Sequence, residues 1–210
     1  YYIRFSYHAN SHDKLMLEDS ETRTSYEAYW NKNIIPSKWT GLKWACVGDG
    51  LTEVNAKTTK HYYDYISEGT GIDITNMGRS DTGYKCAEND GGAFYQRIFN
   101  VPHDTDVVTI FGSGNDVECG AELGEVTDTG TDSLCGCINT TIDNLYSILP
   151  TVQLGIVTPT PWAGHTESGC DMDLYANAIV EICYRRGIPC LDLYHCSSLR
   201  PNEELFRQQA

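Results

Sequence analysis

Trp44-Ala45-Cys46-Val47-Gly48-Asp49-Gly50-Leu51-Thr52-Glu53 is the stretch on which the reading of this chain turns. Four apolar residues stop at Gly48-Asp49-Gly50, and a helix-like segment, Ala56–Glu68, soon follows. A buried strand feeding a tight turn and then a helix is the grammar of the C-terminal edge of an α/β sheet. Open α/β folds gather ligands and chemistry at that edge.

Working outward, apolar β-branched runs recur at Ile72–Asn76, Asp106–Phe111, Val152–Val157 and Ile188–Leu193, each bounded by Gly, Pro, Asn or Asp. Such runs suit strands buried on both faces of a parallel sheet. Between them, Ile138, Ile142, Leu145 and Ile148 recur at helical spacing before Pro150, and Leu174, Ala178, Ile179 and Ile182 do so before Gly187. The expected fold is α/β: a flavodoxin-like, three-layer parallel sheet of about five strands with helices on both faces. Glu88–His103 and Glu118–Asp132, rich in Gly and Asp, read as long loops over the sheet edge.

Residues 1–36 differ. Tyr2–Tyr7 alternates large apolar and polar residues as a half-buried strand does, Lys14–Glu18 fits a second strand, and Thr22–Trp30 returns toward a core. Two or three strands do not make an independent domain. The stretch is expected to be the closing part of a β-sandwich, with a second domain over 37–210.

At 210 residues and 40% hydrophobic content the chain can fill a core. A net charge of −14 argues against nucleic acid as a partner, since such proteins present basic faces. No apolar run approaches the roughly 20 residues that span a bilayer, so no membrane is expected. Nine cysteines include a CxC pair, Cys135 and Cys137, but no CxxC. Several lie in apolar runs, where a thiol serves as a small hydrophobe. A reducing compartment of synthesis is the simplest account, with no metal and no cofactor expected.

Each suspicious group of residues falls just after an expected strand: Gly48-Asp49-Gly50, then Asn76-Met77-Gly78-Arg79-Ser80, Gly112-Ser113-Gly114-Asn115-Asp116, Thr158-Pro159-Thr160-Pro161-Trp162 and Asp192-Leu193-Tyr194-His195. This ordered set resembles that of the SGNH (GDSL) hydrolases, whose first motif is GDSLT, and most of all their phage tail-associated branch. Gly50 stands where those enzymes carry the nucleophilic serine. Asp81 stands where the phage-type relatives have glycine, and Ser113 where a strict GxND has glycine.

The resemblance implies an ester hydrolase, often a deacetylase of carbohydrates, whose oxyanion is held by Gly50 N–H, Gly78 N–H and the Asn115 amide. Donors aimed at the developing charge lower the energy of the tetrahedral intermediate. Without a hydroxyl at position 50 the acyl-enzyme route lacks its nucleophile, and catalysis in this chain is expected to be impaired. Asp192 and His195 match the family's closing DxxH in spacing; the alternative is that the acid–base pair belongs to a DGxHP-type motif beyond Ala210. Trp162 is a candidate for lining a substrate cleft. Asp49 is carried as a substrate-side candidate, although such a residue more often bonds local backbone.

Ser80 and Thr52 are nearby hydroxyls outside the place the motif gives the attacker, and His61, His103 and His165 lack metal-ligand spacing. The expected partner is an acylated carbohydrate or other ester. The expected setting is a phage tail or cell-surface assembly, made in the cytoplasm and found on a virion or outside the cell. The alternative function is a non-catalytic glycan-binding or structural tail module on a hydrolase fold.

Overall fold

The computed structural model describes residues 2–8, 11–18, 38–55, 58–87, 92–163, 165, 169, 171–199 and 201–203. The chain divides into two compact units, Tyr1–Ile35 and Pro36–Ala210. In the first, β1 (Tyr2–His8) and β2 (Ser11–Glu18) pair antiparallel, with Phe5 opposite Leu15 and an irregularity between Ser6 and His8. The expected return over Thr22–Trp30 lies outside the described residues.

The second unit is built on a five-stranded sheet in the order β4-β3-β5-β6-β7, every pair parallel. Its strands are β3 (Lys43–Gly48), β4 (Asp73–Gly78), β5 (Val107–Phe111), β6 (Gln153–Val157) and β7 (Cys190–Leu191). This is the flavodoxin-like order, with its reversal between β3 and β5. The alternation of strand side chains divides the core. Trp44 and Cys46 of β3 pack with Tyr63 and Ile72 on one face, while Ala45 and Val47 join the larger cluster of Val108, Ile110, Ile138, Ile142, Leu154, Ile156 and Ile179 on the other.

The first face is covered by α1 (Tyr62–Thr70), and the second by α4 (Leu134–Ile148) and α5 (Asp171–Arg186), whose buried residues recur at helical spacing. Ser133 caps α4 by accepting the Gly136 N–H at 3.1 Å. The helix expected from Ala56 begins later, at Tyr62. Thr58 Oγ1 accepts the Lys60 N–H and donates to the Lys60 carbonyl, a local turn that competes with helix, and Asp64 then accepts the His61 N–H at 2.7 Å.

Two other expectations change. Within the Glu88–His103 loop, the short helix α2 (Phe94–Arg97) and a 3₁₀ turn (Ile98–Asn100) bury Phe94 and Ile98. The last strand is reduced from Ile188–Leu193 to two residues. Pro189 has no N–H for a ladder, and Asp192 already caps the short helix α6 (Leu193–Cys196) by accepting the His195 N–H.

Cys86 and Cys119 form a disulfide that closes a 33-residue separation, a finding the reducing-compartment expectation did not foresee. Among the remaining thiols, Cys46, Cys135, Cys137 and Cys183 are buried, and burial pushes Cys46 up to about 12. Replacing Cys86 and Cys119 by serine is expected to cost about 3–4 kcal/mol through the freed unfolded chain. Urea unfolding without reductant measures it, and equal midpoints for variant and wild type would show that the link does not stabilise. Among the described residues, no helix is long and apolar enough to cross a membrane.

Candidate active site

The C-terminal ends of β3, β4 and β5 deliver their turns to one place. Gly48 lies opposite Gly78 in the parallel register, and the Arg79 N–H donates to the Gly48 carbonyl at 3.0 Å. Asp49 accepts the Leu51 N–H at 2.9 Å through one oxygen and the Ser113 hydroxyl at 2.9 Å through the other, tying the first turn to the third. Ser113 Oγ in turn accepts the Asn115 N–H at 3.0 Å, so the serine in place of glycine joins two turns where a glycine could not. Asn115, at the start of α3 (Asn115–Glu118), donates its side-chain amide to the Thr82 carbonyl at 3.1 Å, joining the third turn to the second.

Burial raises the Asp49 carboxyl above its usual range against its hydrogen bonds from Leu51 and Ser113. Asp49 is thus a turn residue with a second tie across the site. Asp116 is fully buried and accepts the N–H groups of Tyr84, Lys85 and Cys86 and the Tyr175 hydroxyl.

Gly50 keeps its backbone in the first turn, and its N–H finds no acceptor among the described residues. A Cβ at this position would lie 3.0 Å from Ser80 Oγ. Gly78 is placed differently from the role the resemblance implied. Its N–H donates to Asn76 Oδ1 at 2.8 Å, and a Cβ there would lie 2.2 Å from the Glu53 nitrogen. That glycine is required by close backbone approach, and its donor is occupied. Asp81 holds a φ of 58°, the left-handed conformation most accessible to glycine. The backbone there keeps a glycine-like path under a different side chain, and the Asp81 N–H also has no acceptor among the described residues.

Sequence reasoning missed Arg97. Its guanidinium is buried at 8% exposure, lies over the Phe94 ring, and donates to the carbonyls of Gly48 and Met77 and to Thr82 Oγ1. It clamps the ends of β3 and β4 together. Burial, with help from Arg79, pulls its pKa down to about 10, against the opposing pull of Asp49 and Glu53. Its signal in the sequence was a single arginine inside the apolar run Phe94–Phe99.

Trp162 packs on the third turn, where a Cβ on Gly114 would come within 2.4 Å of its ring. The indole is half-buried.

Asp192 and His195 do pair, Oδ2 to Nδ1 at 2.7 Å, as their spacing suggested. The other ring nitrogen, Nε2, faces Asp173 Oδ1 at 2.9 Å, a residue the sequence reading did not single out. β7 lies three strand spacings, roughly 14 Å, from β3. The histidine links α5 to α6 through two carboxylates, and both of its nitrogens are engaged by them. Burial works to lower its pKa, and the bonds to Asp173 and Asp192 outweigh it, so the ring stays charged above its ordinary 6.5. Asp173 is held below its ordinary 3.8 by the Gly169 N–H and by His195.

The sign of the pH effect follows from those two directions. The histidine's contribution is complete below about 6.5 and fades as pH rises through the raised value, and the aspartate's is lost only in strong acid. His195→Gln is expected to lower the melting temperature most near pH 5.5 and least near pH 9. The cost stays within about 1 kcal/mol because the pair is part-exposed. An equal loss at both pH values would remove the charge from the explanation.

Among the described residues, no group of three or more His, Cys, Asp or Glu side chains could hold a metal ion.

No protein-family model matches the sequence, and neither does any curated protein. Solved structures do resemble it in fold. A protein from Lactobacillus plantarum aligns at 22% identity over 79% of this chain and 83% of its own, with a TM-score of 0.69. A protein described as a GDSL-like lipase from Bacteroides uniformis aligns at 20% identity over 71% and 81%, with a TM-score of 0.55. The family 3 carbohydrate esterase of Clostridium thermocellum aligns at 19% identity over 73% and 79%, with a TM-score of 0.54. The fold is that of the GDSL-like lipases and esterases.

Proposed function

We propose that residues 36–210 form an ester-directed domain that recognises acylated carbohydrate, derived from an SGNH serine esterase that has lost its attacking oxygen at position 50. The observation that carries this is the knitting of three strand-end turns into one rim beside Gly50, with two backbone N–H groups lacking acceptors among the described residues. Such donors suit an acyl carbonyl oxygen. The carbohydrate is supported by the fold shared with a family 3 carbohydrate esterase and by the sandwich-like reading of the first 36 residues. The proposed setting is an extracellular or virion surface, where a disulfide such as Cys86–Cys119 persists.

In a comparable triad, loss of the serine lowers turnover on the order of 10⁶-fold. Binding is therefore the direct test. Titration calorimetry with an acetylated xylo-oligosaccharide and its deacetylated form is expected to give heat only for the first. Equal heats, or none for either, would overturn the reading. A second reading, a glycan-binding module without hydrolysis, is favoured by the engagement of both His195 nitrogens with carboxylates.

A further inference from the structure

We propose that Ser80 is the attacking hydroxyl of this domain and Glu53 its base. The proposal rests on the ester-directed reading above and names the group that reacts.

The hydroxyl has moved rather than vanished. Ser80 Oγ lies 3.0 Å from the point a side-chain carbon of residue 50 would occupy, so it reaches the space left by the missing serine from the neighbouring turn. Its proton is already directed at a base, because Ser80 Oγ donates to Glu53 Oε2, and the Ser80 N–H holds the same oxygen in place at 3.2 Å. The other hydroxyls around this turn are unsuited. Thr52 and Ser113 are fully buried, the first facing Tyr62 and the second donating to Asp49, whereas Ser80 is half-buried.

The turn has the form such a nucleophile needs. Ser80 follows the end of β4, and the next residue, Asp81, is held in the left-handed region at φ 58°. A sharp, strained turn that raises a serine off a strand end, with the N–H of the following residue as an oxyanion donor, is a recurring solution in acyl transfer. Here that N–H is Asp81's, and the Gly50 N–H is the second donor.

The chemistry balances without a further reagent. Ser80 Oγ forms a bond to the ester carbonyl carbon while its proton passes to Glu53. The oxyanion then collapses, the bond to the alcohol oxygen breaks, and Glu53 returns the proton to that oxygen. Water attacks the acyl-serine, gives its proton to Glu53, and the bond to Ser80 Oγ breaks as Glu53 reprotonates it. The net reaction is ester and water to carboxylic acid and alcohol.

The test is covalent labelling of the whole chain with an alkyl fluorophosphonate, read by intact mass and peptide mapping. One adduct is expected, on the peptide containing Ser80, and it should be lost in Ser80→Ala. Ser80→Cys, which keeps a nucleophile of similar size, should still be labelled at that position. Glu53→Gln should slow labelling by about 100-fold or more, the range of a lost general base. Ser147→Ala, on the outer face of α4, should label as wild type. An adduct on another residue, or none on protein with a native circular dichroism spectrum, overturns the proposal.

Calorimetry separates the two claims. Acetyl-dependent sugar binding without an adduct would sink Ser80 and leave the binding reading standing. An adduct on Ser80 without sugar binding would support the nucleophile and sink the carbohydrate.

Discussion

Gly78→Ala is expected to destabilise the domain by about 4 kcal/mol or more, a large share of the 5–15 kcal/mol that holds an ordinary domain together. The added carbon would lie 2.2 Å from the Glu53 nitrogen, 2.3 Å from the Thr52 carbonyl carbon and 2.6 Å from the Glu53 Cα. These are backbone atoms, and no rotamer change moves them aside. Arg97 ties the two strand ends together, and Asn76 donates to the Thr52 carbonyl, so the turns cannot part cheaply. Urea unfolding gives the number. Gly50→Ala serves as the contrast, because its new carbon meets the Ser80 hydroxyl at 3.0 Å and Ser80 Cα and Cβ at an ordinary 3.7 Å, and it is expected to cost less than about 1 kcal/mol. A Gly78→Ala midpoint equal to wild type would mean that the two turns do not approach as described.

Asp116→Ala is expected to cost about 3–5 kcal/mol. The carboxylate accepts four hydrogen bonds at 2.8–3.1 Å, from Tyr84, Lys85 and Cys86 N–H and from the Tyr175 hydroxyl. Alanine leaves all four donors without their acceptor, and each buried donor so abandoned costs about 1–3 kcal/mol before any water enters. Gly83 shows how closely this acceptor is wrapped, since a Cβ there would lie 2.4 Å from the carboxyl carbon. Burial raises the Asp116 carboxyl above its usual range despite these bonds, which makes the donors, not bulk solvent, its stabilising surroundings. Asp116→Asn should fall between wild type and alanine, because one oxygen survives while the amide nitrogen faces a donor. Thermal unfolding of the three proteins gives the order, and alanine above asparagine would refute the hydrogen-bond account.

Much of the sheet is legible in the sequence because each strand is a short apolar run with its own stop signal. Trp44–Val47 ends at Gly48-Asp49-Gly50, and its alternate residues divide between the two core faces as a buried parallel strand requires. The last strand was overread because apolar character continues through Ile188–Leu193, while a proline and an N-cap aspartate limit it to Cys190–Leu191. Phe94–Asn100 was underread because one short turn of helix gives too few residues to show a period.

The site divides along the same line. The amino-acid order alone placed Gly50, Gly78, Asn115, Trp162, Asp192 and His195 at strand ends, and Asp192 and His195, three positions apart, are near enough in the chain to bond. Periodicity and turn residues act over a few positions, so they are written in the chain itself. Contacts between distant positions are not. That Gly78 packs against the Glu53 backbone, that Asp173 captures the far nitrogen of His195, that Arg97 clamps two strands, and that Ser80 faces the gap at Gly50 were decided by packing across separations of up to 49 residues. Burial makes each such partner obligatory, since a polar group taken from water must find its hydrogen bond wherever the fold brings one.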